Sequence, residues 1–368
     1  MRKGLILLTL LTIALALSGC KTFSFYRQAI KGQLSLLVHE ERTDKLIADQ
    51  RTPARLKEQL QLVGRLREFA ERDLKLPVDG HYRKYVDVHR PFVVWNIVAA
   101  PEFSTEPKTW WYPMIGRQEY RGYFSEAAAQ KYASGIRKKG YDVYVAGTTA
   151  YSTLGWLKDP LLNTFIFDPE SDLAETIFHE LGHQRVFARG DTDFNEAFAT
   201  TVGQEGARRW LRAKGDTAAY ERYMAELRRT EQFVHLIMRA RGRLESLYGD
   251  ERNKEGKVKA TRKKREVSES QLRAEKEQIF DDLRKDYQRL KAEWEGNGDY
   301  DQWFSRELNN AKLNSVAAYY DLVPGFERLL ELNDKNLEKF YDAAERLANK
   351  SKADRQQWLR TLAAPPGP

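Results

Sequence analysis

Hydrophobic positions recur at helical spacing through the first part of the chain. Between residues 24 and 76, leucine and valine return every three or four positions among many charged residues, which is the pattern of helices with one buried face. The positions are Leu34, Leu37, Val38, Leu56, Leu60, Val63 and Leu66. Pro77 and Gly80 interrupt the pattern, so we predict that these helices end there.

The pattern becomes that of a sheet after residue 90. Four segments are rich in β-branched and aromatic residues or alternate between apolar and polar positions, and each predicts a strand. They are residues 92–98, 110–115, 141–145 and 164–167. Ser125 is a suitable N-cap for a helix that ends near Gly140, between the second and third strands. We therefore predict a small mixed sheet covered by helices.

The pattern is helical again from residue 170 to the end, and it predicts no further strand. The two longest helical segments, 217–248 and 267–295, predict an antiparallel hairpin over residues 217–296. The tip of this hairpin, Lys257–Arg265, contains six basic residues and no acid. One interpretation of the tip is a solvated loop. The other is a contact with anionic lipid headgroups, worth about 1 kcal/mol per basic residue.

The composition indicates a folded protein with a modest positive charge. The chain has 368 residues, with 61 Lys and Arg against 53 Asp and Glu, which gives a net charge of +8. The mean hydropathy of −0.66 excludes a polytopic membrane protein, and a hydrophobic content of 42% excludes a disordered one. The charge favours contact with anionic surfaces but does not indicate nucleic-acid binding.

The first twenty residues have the pattern of a targeting segment. Two basic residues precede the apolar run 4–17, which is too short to span a bilayer of about 30 Å and is typical of a signal peptide. Residues 17–20 resemble a bacterial lipobox, in which the cysteine is lipidated and becomes the mature N-terminus. We predict that residues 1–19 are removed and that the lipid on Cys20 anchors the protein to the membrane. An ordinary secretory signal with an incidental cysteine is the alternative.

The predicted location is the bacterial cell envelope. By analogy with lipoprotein sorting, Lys21 after the cysteine favours the outer membrane, with the protein facing the periplasm. Cys20 is the only cysteine in the chain, so no intramolecular disulfide bond can form.

One motif carries the candidate chemistry. His179, Glu180 and His183 form an H-E-x-x-H sequence in a segment that Ser171 can cap and Gly190 can end as a helix. Residues one helical turn apart lie on the same face, so both imidazoles can reach one metal ion while Glu180 lies at the edge of that face. Two histidines bonded to the neighbouring backbone are the structural alternative.

Catalytic zinc commonly has three protein ligands, so a third must come from elsewhere in the chain. A second helix is predicted to begin near Asp193 and to place Glu196 in its first turn, facing His183. The same spacing, Asp193-x-x-Glu196, is also that of a capping box. One carboxylate cannot serve both purposes, which leaves Asp191 or Asp193 as the rival ligand.

Several stretches of the sequence resemble the Putative aminopeptidase family of bacterial lipoproteins, which are predicted zinc metallopeptidases similar in their metal site to the gluzincins. The stretches are residues 94–104, 120–124, 150–156, 159–160, 178–184, 190–199, 308–311 and 323–326. The resemblance covers nearly the whole mature chain. It implies that His179, His183 and Glu196 are the zinc ligands and that Glu180 is the catalytic base.

The sequence also departs from the family pattern. Gly182 stands where alanine is more usual, and Trp111 and Arg117 stand where members often carry cysteines. The resemblance further implies a strand before the metal helix that binds the substrate backbone, and residues 151–154 or 164–167 could form it. A tyrosine or histidine from the helical lobe would stabilise the oxyanion. The first candidate is Tyr319, and the alternatives are Tyr320 and His235.

The patterns and the resemblance together predict an α+β fold of zincin type. A small mixed sheet lobe packs on the active-site helix, and a large helical lobe with a long hairpin follows. The predicted segments are 1–19 signal peptide, 20–90 helical segment, 91–215 sheet subdomain with the metal site, 216–362 helical lobe and 363–368 disordered tail.

The predicted function is that of a zinc-dependent metallopeptidase with a peptide substrate. If it is an aminopeptidase, an acidic group must hold the free amine of the substrate, and the candidates are Glu102, Glu119 and Asp159. The alternative is a non-catalytic envelope lipoprotein that acts in binding or assembly on the same scaffold. Because neither Glu180 nor a ligand is lost, the sequence favours the enzyme. Hydrolysis of a non-peptide amide is a third hypothesis.

Overall fold

The computed structural model describes residues 24–113, 115–151, 157–252, 258–260 and 268–363. The predicted signal peptide, Cys20, most of the basic tip Lys257–Arg265 and the end of the tail lie outside these residues. The helices are α1 (24–38), α2 (Thr43–Ala48), α3 (Ala54–Arg72), α4 (Glu126–Arg137), α5 (Glu170–Arg185), α6 (Thr192–Lys214), α7 (Thr217–Tyr248), α8 (Glu269–Glu293), α9 (Asp301–Phe304), α10 (Asn310–Tyr320), α11 (Val323–Leu332), α12 (Leu337–Ala348) and α13 (Lys352–Ala363). The strands are β1 (Glu41–Arg42), β2 (Lys84–Val86), β3 (Val94–Pro101), β4 (Trp110–Tyr112), β5 (Gly116–Gln118), β6 (Tyr120–Tyr123), β7 (Tyr141–Thr148), β8 (Leu161–Leu162), β9 (Asp250–Arg252) and β10 (Val258–Ala260).

The predicted α+β fold is confirmed. A three-stranded antiparallel sheet in the order β6-β3-β7 has β3 at its centre, where Asn96 pairs with Gly122 on one side and Ala146 on the other. One face of this sheet packs on α4, which Ser125 caps as predicted. Alternation along β3 leaves the other face, with Val94 and Asn96, free to line a cavity.

The predicted strand at residues 164–167 is wrong. These residues form turns, with the amides of Phe165 and Ile166 bonded to the carbonyl of Leu162, and the strand is instead β8, which pairs in parallel with β2. Phe165 and Ile166 are almost fully buried. Their hydrophobicity therefore reflects burial of a turn in the core and not an extended backbone.

The helical lobe contains the predicted hairpin of two long helices. Phe280, Leu283 and Tyr287 of α8 pack with Ile237 and Leu244 of α7 in one buried cluster. The prediction of no strand after residue 170 is wrong, because Gly249 ends α7 in a left-handed conformation and the chain enters β9, which pairs with β10. Strands of three residues are too short to show a period-2 pattern. Within the described ranges, no helix combines the length and apolar character needed to cross a bilayer.

Helices α5 and α6 approach each other closely because glycines lie between them. A Cβ atom on Gly182 would lie 3.3 Å from the Cα atom of Ala199. A Cβ atom on Gly203 would lie 2.8 Å from the backbone oxygen of Glu175, and one on Gly206 would lie 2.6 Å from the Phe178 ring. The absence of three side chains thus sets the distance between the two helices.

We expect Gly203→Ala to lower the free energy of unfolding by about 1–3 kcal/mol, because the new methyl group meets a backbone atom that cannot move independently. Urea denaturation followed by circular dichroism measures the change. Gly64→Ala on α3 is the matched control, since no atom lies within 4 Å of its added Cβ. Alanine there should stabilise the helix by about 0.5–1 kcal/mol. Equal stability of Gly203→Ala and the wild type would contradict the close-packing argument.

Candidate metal centre

Helix α5 presents two histidines to one cavity. It begins after Pro169 with Glu170 and Asp172 in its first turn, where the helix dipole favours acids. The predicted cap at Ser171 is wrong, because Ser171 lies inside the helix and bonds the Asp172 carboxylate. On the side of α5 away from this cavity, the buried stripe consists of Leu173, Ile177 and Leu181.

The rings of His179 and His183 lie one turn apart on α5, with centroids separated by 4.9 Å. Both Nε2 atoms face the carboxylate of Glu196 on α6. The Oε2 atom of Glu196 is 3.5 Å from Nε2 of His179 and 3.6 Å from Nε2 of His183. Within the described part of the chain, these three residues form the group whose ligand atoms lie within 4.8 Å of one another. The donors fit a divalent metal ion that prefers nitrogen and carboxylate ligands.

The rival ligands Asp191 and Asp193 are directed elsewhere. Asp191 caps α6 through the amide of Phe194, so the capping-box interpretation of Asp193 and Glu196 is wrong. The amide group of Gln356 on α13 donates to Asp191 at 2.7 Å and to Asp193 at 3.2 Å. Because the cap is supplied two residues earlier, Glu196 is free to face the histidines.

The two glutamates of the site differ in their pKa values. Burial acts to raise the pKa of Glu196, but His183 and His179 outweigh it and hold that pKa at about 2. Burial acts to lower the pKa of His183, and Glu196 reverses the direction and raises it. Glu180 differs from Glu196, because burial raises its pKa above the usual value although both histidines act against it. Glu196 is thus suited to bind a cation and Glu180 to accept a proton.

Tyr319 on α10 lies directly against the histidines. Its ring stacks on that of His179, with centroids 6.2 Å apart and an interplanar angle of 23°. Glu196, and then burial, raise the pKa of Tyr319 well above its usual range, so the phenol keeps its proton. Of the other two candidates, Tyr320 packs between hydrophobic clusters, and His235 lies in a groove between α7 and α8.

These residues open into a cavity of about 520 Å³. Glu180 and Tyr319 lie on its wall, together with the free face of the sheet and one face of α1. Tyr120 on β6 also lines the cavity, and burial and the nearby Glu196 raise its pKa well above the usual range. Sequence reasoning did not assign Tyr120 to the site, although it begins one of the stretches that resemble the family.

The departures from the family pattern have local explanations. Gly182 allows α6 to approach α5 closely, because the Cβ atom of an alanine at this position would lie 3.3 Å from the Cα atom of Ala199. Trp111 and Arg117 are direct partners across β4 and β5. The two strands pair over three residues each, from Trp110 with Gln118 to Tyr112 with Gly116, so the hairpin forms without a disulfide bond.

Two histidines and a carboxylate around one point, beside a cavity that contains a second carboxylate, define a candidate metal-dependent hydrolase. The chain belongs to the family described as Putative aminopeptidase, whose sequence model matches residues 24–359. The resemblance predicted from the sequence is thereby confirmed, and membership supports a peptidase in general. The comparisons with curated proteins and with solved structures give no match.

Proposed function

We propose that the protein is a zinc-dependent metallopeptidase. The observation that carries the proposal is the convergence of His179, His183 and Glu196 from two helices on one point, with the carboxylate of Glu180 on the wall of the same cavity. Two histidines and a glutamate are a ligand set that zinc favours in peptidases. Family membership supports the peptide bond as the target.

In this proposal, the residues of the cavity have different roles in hydrolysis. When bound, zinc would acidify a water molecule and polarise the carbonyl group of the scissile bond. Glu180 would accept the proton of the water and deliver it to the leaving amine, and its raised pKa suits both transfers. The protonated phenol of Tyr319 would donate a hydrogen bond to the oxyanion.

We further propose that the protein is anchored to the bacterial envelope through a lipid on Cys20. The support is the lipobox-like sequence and the helix α1 that follows it. Ile30, Leu34 and Val38 on α1 are 59%, 53% and 77% exposed, and they lie one turn apart on a single face. An apolar stripe of this kind suits the boundary of a membrane, where burial of apolar surface is favourable. The contact between Lys257–Arg265 and anionic headgroups stays a prediction.

We expect the wild-type protein to bind one zinc ion per chain and Glu196→Gln to lose most of it, because an amide replaces the anionic ligand. Asp193→Asn is the matched control and should keep the zinc, since Asp193 bonds Gln356 and not the histidines. Mass spectrometry of the metal content, after dialysis, measures both variants, with circular dichroism as a check of folding. A folded wild-type protein without zinc, even after reconstitution, would favour a non-catalytic binding role in the envelope.

We expect Glu180→Gln to keep the zinc but to lower kcat by about 10²–10⁴, because the amide cannot accept a proton. Tyr319→Phe should lower kcat by about 10–10³ through loss of one hydrogen bond to the oxyanion. Tyr320→Phe is the control and should leave kcat unchanged, since Tyr320 does not line the cavity. Peptide hydrolysis followed by mass spectrometry supplies the rates. Full activity of Glu180→Gln would refute its role as the base.

We expect the protein expressed in a bacterium to incorporate an alkyne-labelled fatty acid, and Cys20→Ala to incorporate none, because the thiol of Cys20 is the only one in the chain. Ser18→Ala, which keeps the cysteine, is the control and should remain labelled. Gel fluorescence after coupling of the alkyne to a dye is the measurement. Equal labelling of the wild type and Cys20→Ala would show that the lipid is not attached at this residue.

A further inference from the structure

The walls of the metal cavity contain very little negative charge. Among the described residues that line it, Glu180 and Glu196 are the ones with a carboxylate, and both have roles in the proposed function. The described part of the wall therefore offers no additional acid to a positively charged substrate group.

The three acids that could have held a substrate amine do not lie on the described wall of this cavity. Glu102 accepts two hydrogen bonds from the guanidinium of Arg273, at 2.6 and 3.0 Å. Asp159 is buried beside His81, with 3.4 Å between its Oδ2 atom and the ring Nδ1 atom. Neither lies on the wall of the metal cavity.

Glu119, the third candidate, belongs to a different cavity. Its carboxylate is 3.3 Å from the Nζ atom of Lys352, and both residues line a separate space of about 820 Å³. The neighbouring residue Gln118 faces the metal cavity, so the segment between β5 and β6 forms the wall between the two spaces.

An unpaired ammonium group would be unfavourable in the metal cavity. Transfer of a charge from water to a protein site without a partner costs several kcal/mol. Amide groups of a peptide backbone carry no net charge, and their smaller cost can be offset by hydrogen bonds to residues such as Asn96. The site thus favours a chain whose N-terminal amine lies far from the scissile bond or is blocked.

Aromatic and aliphatic side chains make up much of the remaining wall. They are Phe25 and Tyr26 of α1, Tyr112, Ile115, Phe124, Tyr151, Leu157 and Phe187. A substrate side chain that contacts them gains about 25 cal/mol for each Å² of apolar surface removed from water. A volume of about 520 Å³ can accommodate an aromatic side chain together with part of the backbone.

We infer that the substrate is an uncharged stretch of polypeptide, internal or N-terminally blocked, with an aromatic or large aliphatic residue in the cavity. The inference rests on the proposed function and specifies its substrate class. It predicts cleavage within a chain and not removal of a residue with a free α-amine.

The test uses the full chain with Glu180→Gln, loaded with zinc, so that binding is measured without turnover. Titration calorimetry compares acetyl-Ala-Phe-Ala-amide with Ala-Phe-Ala-amide and with acetyl-Ala-Asp-Ala-amide. We expect the acetylated Phe peptide to bind at least as tightly as the free-amine peptide and tenfold or more tighter than the Asp peptide. Tighter binding of the free-amine peptide, no preference for Phe over Asp, or no binding of any peptide would overturn the inference.

A change of charge in the cavity provides a second readout. Asn96→Asp adds a carboxylate to the wall with little change of shape, and it should shift the affinity ratio at least tenfold toward the free-amine peptide, as expected for a hydrogen bond to a charged group. Asn349→Asp, on the exposed C-terminal end of α12, is the control and should leave the ratio unchanged. No shift with Asn96→Asp would contradict the argument from missing charge.

Hydrolysis by the wild-type protein distinguishes this inference from the proposed function. Cleavage restricted to free-amine peptides would preserve the peptidase and overturn the inference about its substrate. Binding of the acetylated Phe peptide without hydrolysis of any peptide by the zinc-loaded protein would have the opposite meaning. The inferred class of ligand would then be supported, and the proposed peptidase function would be refuted.

Discussion

The contact between α5 and α6 sets the geometry on which the candidate site depends. Glu196 belongs to one helix and the two histidines to the other, so the distance between the helix axes decides whether three ligand atoms can meet. Gly182, Gly203 and Gly206 keep that distance short. A glycine inside a helix costs about 1 kcal/mol relative to alanine. The protein therefore gives up intrinsic helix stability at the positions where side chains would separate the donors.

The same packing produces two glutamates with opposite properties. Glu196 faces both histidines, and its pKa is held at about 2, whereas burial dominates at Glu180 and raises its pKa. Two carboxylates in one cavity would otherwise repel each other and compete for the same proton. Their separation into an ionised acceptor and a group that can take up a proton is the usual basis for dividing acid and base roles.

Much of this arrangement could be predicted from the sequence, because the relevant spacings are local. The histidines at i and i+4, the helical hairpin and the central strand of the sheet all follow from short-range patterns. The spacing alone does not choose between Glu196 and Asp193, since a ligand and a capping box share one spacing, and the preference for Glu196 comes from the family resemblance. In the structure Asp191 caps the helix, which excludes the capping box. Tyr120 and the residues of α1 that line the cavity are brought to the site by packing between segments distant in sequence. Local sequence patterns do not predict such contacts.

Acidic residues of the sheet lobe form ion pairs with basic residues of the helical lobe. Arg273 of α8 binds Glu102 beside the sheet, Lys276 of the same helix binds Asp142 at 2.7 Å, and Lys352 lies against Glu119. Each pair uses an acid from the sheet lobe and a cation from the helical lobe. The acids that join the lobes are thus held in ion pairs with cations of the other lobe. The contacts between the lobes therefore use acids of the sheet lobe, whereas Glu180 and Glu196 are the acids among the described residues of the cavity wall.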